Sequence, residues 1–211
     1  MLCVTDKPNG TKVETFVGGN CGISDNVNDI RFTRTGYYLR KFNNYKSGIG
    51  MDADGLMRMF RLAELYLNFA EAAYQSVGPD AQVQSKVAGG VSMSAREAVN
   101  KVRARVGMPG LPSGMDKESF EKRYRNERRV ELAFEEHRFF DVRRWKILDQ
   151  TDRYLTGMKI TKEKDGSLTY TRIKLAERPT SEDKYLMYPI MQSEVNKMQQ
   201  FTGTNWQNPG W

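Results

Sequence analysis

Between residues 57 and 77 the apolar side chains repeat with the period of a helix and occupy more than one of its faces. No other stretch restricts the fold as much. Leu62, Leu65, Tyr66, Phe69, Ala70 and Ala73 fall at i, i+3, i+4, i+7, i+8 and i+11, which places them on one face. Ala63, Leu67 and Tyr74 fill much of the opposite side, so the helix is expected to be buried against more than one neighbour. Gly78-Pro79 ends it. Such a helix needs helical partners, and the sequence supplies two. Ser94-Ala95-Arg96-Glu97 reads as a capping box, in which the Ser hydroxyl accepts from the N–H three residues on and the Glu reaches back. The helix it opens carries Ala95, Val99, Val102 and Val106 as its stripe and stops at Gly107 and Pro109, predicting an antiparallel hairpin with the first. A third helical region begins at the N-cap Asp116 and continues to Gln150 without Pro or Gly. Its apolar face shifts from Phe134 to the Phe139-Phe140 pair, which predicts a break near His137.

After Tyr154 the period becomes two. Segments 155–163 and 168–175, separated by Asp165-Gly166, read as a β-hairpin whose turn suits positive φ values. A short helix from 192 to about 200 follows Tyr188-Pro189-Ile190, and the tail contains Trp206 and Trp211, expected to dock the C-terminus. Residues 1–55 are rich in Gly, Asn, Asp and Thr and read as loop, with one strand expected at 37–42 after Gly36. The fold class expected is mainly α, with tetratricopeptide-like helix pairs, irregular loops and a small hairpin. It is organised as a loop-rich segment 1–55 followed by a helical domain 56–211.

Composition removes several functions. A single imidazole, His137, excludes multi-histidine zinc sites and paired Glu-x-x-His units. No metal or cofactor is expected. The two cysteines, Cys3 and Cys21, form one disulfide or none. No apolar run approaches the length of a membrane span, and the first thirty residues do not have the pattern of a signal peptide. The 33 Lys and Arg exceed the 26 Asp and Glu by seven, but the two signs are interleaved rather than striped, so no nucleic acid is expected as a partner.

The interleaving is densest over 125–145 and permits two readings. Glu127 and Glu131, one helical turn apart, have the spacing of an acid and base pair, as in a glycoside hydrolase, and His137 with Asp141 that of a base and its orienter. Alternatively these are structural pairs: Arg123 with Glu127, Arg128 with Glu131 and His137 with Asp141 all sit three or four residues apart. The second reading is preferred, because no nucleophile, Gly-rich loop or metal set accompanies the acids. Trp145 beside Phe139 and Phe140 is expected in the core.

Four groups of residues, in order, resemble the C-terminal part of the SusD/RagB family. They are Arg61-Leu62-Ala63-Glu64-Leu65-Tyr66-Leu67-Asn68-Phe69-Ala70-Glu71-Ala72; Val102-Arg103-Ala104-Arg105-Val106-Gly107-Met108-Pro109; Glu127-Arg128-Arg129-Val130-Glu131-Leu132-Ala133-Phe134-Glu135 with His137-Arg138-Phe139-Phe140-Asp141-Val142-Arg143-Arg144-Trp145; and Tyr188-Pro189-Ile190 with Gln207-Asn208-Pro209-Gly210-Trp211. Gly36-Tyr37-Tyr38-Leu39-Arg40-Lys41-Phe42 is a weaker fifth. The resemblance implies a SusD-like α-α superhelix and no catalysis. It implies a surface-exposed outer-membrane lipoprotein of Bacteroidetes that binds an oligo- or polysaccharide, or another nutrient, and hands it to a SusC-like TonB-dependent transporter. It also implies that a signal peptide, a lipidated Cys and most of the helical repeats lie upstream, since 211 residues are fewer than a complete member has. Family motifs assign no ligand contact. The candidates expected on chemistry alone are Phe16, Asn20 and Phe32 in the loop-rich segment, aromatic and amide groups of the kind that stack on and hydrogen-bond sugars. A helical-repeat adaptor for peptides and, less favoured, a glycoside hydrolase are the alternatives.

Overall fold

The computed structural model describes residues 12–24, 32–39, 41–42, 59–87, 89–151, 153–178 and 183–211. The fold is mainly α with one antiparallel hairpin. Its helices are α1 (Leu62–Val77), α2 (Ala95–Ala104), α3 (Lys117–Glu131), α4 (His137–Arg144), α5 (Leu148–Thr151) and α6 (Gln192–Thr202). The hairpin pairs β1 (Tyr154–Lys162) with β2 (Leu168–Glu177), and a 3-10 turn spans Asp183–Leu186. The chain falls into two compact units, Leu56–Phe139 and the combination of Met1–Gly55 with Phe140–Trp211.

In the Leu56–Phe139 unit α1 packs on α2 and α3. The buried stripe of α1 is Leu67, Ala70, Ala73 and Tyr74, whereas Leu62 and Leu65 stay exposed. The expected burial on more than one side is not met at Leu62 and Leu65, and Leu67 and Tyr74 anchor the packing. Helix α1 also starts later than expected: Met59 and Phe60 are not helical, and Arg61 is extended (φ −131°, ψ 147°) with no side-chain cap; residues 57 and 58 lie outside the described residues. Gly78, at φ 93°, closes the helix. Against the α1 stripe lie Ala98, Val99 and Val102 of α2 and Phe120 and Tyr124 of α3. Three rings form the centre: Tyr74 meets Phe120 at 5.4 Å and Tyr124 at 5.3 Å between centroids, in tilted geometry. A phenol can be this deep because its hydroxyl is satisfied. Tyr124 Oη donates to the Glu71 carboxylate at 2.8 Å and lies 3.0 Å from the Leu67 carbonyl.

The capping box forms as expected, with Ser94 Oγ accepting from the Glu97 N–H and Glu97 Oε2 from the Ser94 N–H. Ser94 is fully buried. Replacing it with Ala is expected to cost about 1 kcal/mol in urea unfolding and to fray α2 first in amide exchange. Three acids hold helix ends or turns. Hydrogen bonds from Arg96 and then the Gly114 N–H lower the pKa of Asp80, the Ser94 N–H and Gln82 lower that of Glu97, and the Ser119 N–H lowers that of Asp116. A carboxylate with a lowered folded pKa stabilises fully above its unfolded value, near pH 4, and ceases to as the pH falls through the folded value. The melting temperature is thus expected to be level in acid down to about pH 5 and to fall below about pH 4, less steeply in Asp80→Asn. At the other extreme, burial pushes Tyr74 up to about 12. Its contribution is present below the unfolded phenol value of about 10 and is lost as the pH rises through the folded one.

The break near His137 is present. Helix α3 ends at Leu132, and both Phe134 (φ 62°) and Glu136 (φ 65°) take left-handed backbone before α4 begins. Phe134 and Phe140 are exposed and Trp145 is half-buried beneath Arg144, so this aromatic run contributes less to the core than expected. The small core of the second unit is Val142, Ile147 and Leu148, with Trp145, Tyr185 and Leu186 packed against it.

The hairpin turn differs from a two-residue DG turn. Gly166 N–H donates to the Glu163 carbonyl and Glu163 N–H to the Ser167 carbonyl, the three-residue loop in which only the last position needs left-handed backbone. Gly166 takes it (φ 87°), while Asp165 accepts from the Ser167 N–H and hydroxyl. The strand expected at 37–42 does not form over its described residues: 37–39 are irregular and Lys41 and Phe42 lie in a turn, Arg40 being outside the described residues. That segment instead meets β1 edge-on, where the Thr35 carbonyl accepts from Met158 N–H. Gly36 (φ 74°) makes the approach possible, because a Cβ there would lie 1.9 Å from the Met158 carbonyl oxygen.

The tail docks as expected at Trp211. Its indole N–H lies 3.0 Å from the Lys184 carbonyl, and its ring meets Tyr185 edge-on at 5.9 Å. Gln207 adds a second clasp, its amide accepting from Ile190 N–H and donating to Ile190 C=O. Trp206 stays half-exposed, with its N–H on Thr204.

Candidate ligand-binding surfaces

The three residues singled out by chemistry lie along one loop system. Asn20 is exposed, but its amide holds the turn: Oδ1 accepts from the Glu14 N–H and Nδ2 donates to the Lys12 carbonyl. Phe16 is half-buried, with the Lys162 ammonium 4.9 Å from its ring centre. Phe32 is half-buried and adjoins Thr33, whose bridge to Ile23 ties the two segments together. Val17 N–H donates to the Ile160 carbonyl and seats the turn on β1. Cys21 in this turn is a free thiol, and Cys3 lies outside the described residues.

A second surface was not anticipated. An open groove of about 370 Å³ runs along α1, walled by Leu62, Leu65, Tyr66 and Phe69 and closed by Val83, Gln84, Ser85, Val91 and Met93. Its α1 wall is the i, i+3, i+4, i+7 part of one of the two apolar faces read from the sequence. The opposite wall exists because Val83 and Met93 exchange both backbone hydrogen bonds, at 3.0 and 3.2 Å, and pinch the connection between α1 and α2 into a loop. Tyr66 and Phe69 are half-buried, and Lys101 lies 5.9 Å from the Tyr66 ring centre. Gln84 is exposed and its amide makes no hydrogen bond within the described residues. Two rings beside a free amide in an apolar trough suit a ligand with flat C–H faces and a hydroxyl rim. A larger, shallower depression at the start of α3, about 550 Å³, is lined mainly by charged and polar groups, among them Asp116, Lys122, Arg123 and Asn126.

The acids that resemble a catalytic pair are committed to cations. Glu127 pairs with Arg103 of α2 rather than with Arg123, and its side chain is 12% exposed. Glu131, 11% exposed, takes Arg61 at 2.7 Å and Arg105 at 3.0 Å. Arg61 also grips Glu135 through two nitrogens, at 2.7 and 2.8 Å. Its guanidinium pKa is raised by these hydrogen bonds, Glu135 contributing most. Arg128 reaches Asn68 of α1 at 2.7 Å. His137 lies 3.5 Å from Glu64, not on Asp141, which pairs with Arg144. The expected ion pairing is therefore real but largely between elements rather than along one helix, and it ties α1, α2 and the end of α3 together.

These inter-element pairs involve the residues of the motifs quoted above, and the SusD family model matches residues 10–211. The chain belongs to the SusD family. No curated protein and no solved structure matches it. SusD-family proteins are nutrient-binding proteins of the outer membrane, typically without enzymatic activity. Among the described residues no helix is long and apolar enough to cross a membrane.

Proposed function

We propose that this chain captures a nutrient glycan at the cell surface, without cleaving it, and delivers it to a SusC-like TonB-dependent transporter, the mature protein being held at the outer membrane by a lipid. Membership of the SusD family across residues 10–211 carries this reading. The commitment of Glu127 and Glu131 to guanidinium groups supports it, since a glycosidase needs two carboxylates facing a cleft. Tyr66 and Phe69 in the α1 groove are the stacking platform, with Gln84 as the polar contact. The turn carrying Phe16 and Asn20, with Phe32 beside it, is a second contact surface in which Asn20 keeps the loop in shape.

The test is affinity electrophoresis against neutral and acidic polysaccharides, followed by calorimetry on whichever binds. Tyr66→Ala and Phe69→Ala are each expected to weaken binding about tenfold, equivalent to roughly 1.4 kcal/mol. Phe16→Ala and Phe32→Ala report on the loop surface. If no polysaccharide bound, or if all four variants bound like the parent, the glycan assignment to these surfaces would be wrong.

A further inference from the structure

Among the described residues no strand pairs with the outer edge of β2. The Glu163 and Ser167 pair fixes the alternation of the ladder, so 161 with 169 and 159 with 171 exchange hydrogen bonds, while 162, 160 and 158 face away from β2. On β1 those outward groups are used: Ile160 C=O accepts from Val17 and Met158 N–H donates to Thr35. On β2 the corresponding outward residues are Leu168, Tyr170 and Arg172. Their backbone N–H and C=O groups have no partner among the described residues, and all three side chains are exposed.

Open edges of this kind invite another strand, and the charge around this one selects which. Residues 153–178 contain seven Lys and Arg against three acids. Glu177 is taken by Arg153 and Lys174, and Asp165 by Ser167. Lys159, Lys164 and Arg172 have no ion-pair partner among the described residues. A second copy of β2 would bring the same excess of cations to the seam, whereas an acidic strand neutralises it. We propose that the β2 edge accepts an extended acidic segment of a partner protein as a third strand. The incoming strand places acids across from Arg172 and Lys174, apolar residues across from Leu168 and Tyr170, and β-branched residues beside Thr169 and Thr171.

The probe is a fluorescein-labelled peptide, Glu-Val-Glu-Thr-Val-Thr-Val with blocked ends, titrated with the whole chain at low salt and followed by anisotropy. Saturable binding is expected. It should fall at least tenfold in Arg172→Glu, and equally when the peptide is N-methylated at alternate amides, which removes its strand-pairing donors while keeping its charge. Tyr170→Pro deletes an outward N–H and is tolerated at an edge, so it should weaken binding too. Should that variant lose the hairpin by circular dichroism, Arg172→Glu and the methylated peptide still decide. Equal binding of the methylated peptide would mean general attraction to polyanions and would overturn the proposal. So would an unchanged Arg172→Glu, or a chain already dimeric in gel filtration through β2.

Discussion

Replacing Arg61 with Ala is expected to lower the free energy of unfolding by about 3 kcal/mol. For a chain of this length that corresponds to a fall of roughly 6–12 °C in melting temperature. Arg61 is 17% exposed and bridges two carboxylates, Glu131 and Glu135, that are 11% and 12% exposed and four residues apart. It also donates to the Glu131 backbone carbonyl, at 2.9 Å, just before the left-handed residues Phe134 and Glu136. Removing the guanidinium leaves two nearby acids facing one another without the cation that joins them, and takes away a clasp on a backbone break. Arg105, 57% exposed, offsets only part of the loss. Arg61→Lys is expected to recover less than half of it, because a point charge cannot make the forked contact to Glu135 and reach Glu131 as well. A fall below about 0.5 kcal/mol would show the group to behave as an ordinary surface pair.

Phe120→Ala is expected to cost about 3–5 kcal/mol, enough to unfold much of the Leu56–Phe139 unit at moderate urea. Phe120 is fully buried and packs on Tyr74, which in turn packs on Tyr124. A void there removes one of the contacts that hold α3 against α1, and the two phenols cannot close it because their hydroxyls are fixed at Glu121 and Glu71. Phe120→Leu, which keeps most of the volume, is expected to cost less than half as much. Circular dichroism and tyrosine fluorescence, recorded together, check both values and whether the unit unfolds in one step.

The elements were legible wherever chemistry is local. The capping box at Ser94, the stop at Gly78, the N-cap Asp116, the break before His137 and the hairpin all depend on residues within a few positions of one another, and all are present. What sequence could not fix was which of two apolar faces of α1 meets the core. Leu62, Leu65, Tyr66 and Phe69 have the right spacing, but small residues at Ala70 and Ala73 let α1 approach its neighbours closely, and Leu67 and Tyr74 went inside with them. The groove follows from that orientation and from the Val83 and Met93 bridge, a pairing no periodicity reveals. The acid pairs were legible in kind and not in partner. Helical spacing offered Arg123 to Glu127, whereas the fold brought Arg103 from 24 positions away. The strand expected at 37–42 failed for a related reason: aromatic composition favoured it, but Gly36 turns the chain to meet β1 through single contacts rather than a ladder.

In the function proposed above, this SusD-family chain binds a glycan and leaves it intact, with the acids of 127–135 serving as structural ties. The most direct test combines product analysis with melting curves. The parent chain, Glu127→Gln and Glu131→Gln would each be incubated with the polysaccharides that the parent retains, and the sugars sized by chromatography. Sugars are expected at their original size in every case, and each variant is expected to melt lower, having lost about 1–3 kcal/mol of stability. Shortened sugars in the parent, abolished by Glu131→Gln with no change in melting, would contradict that function.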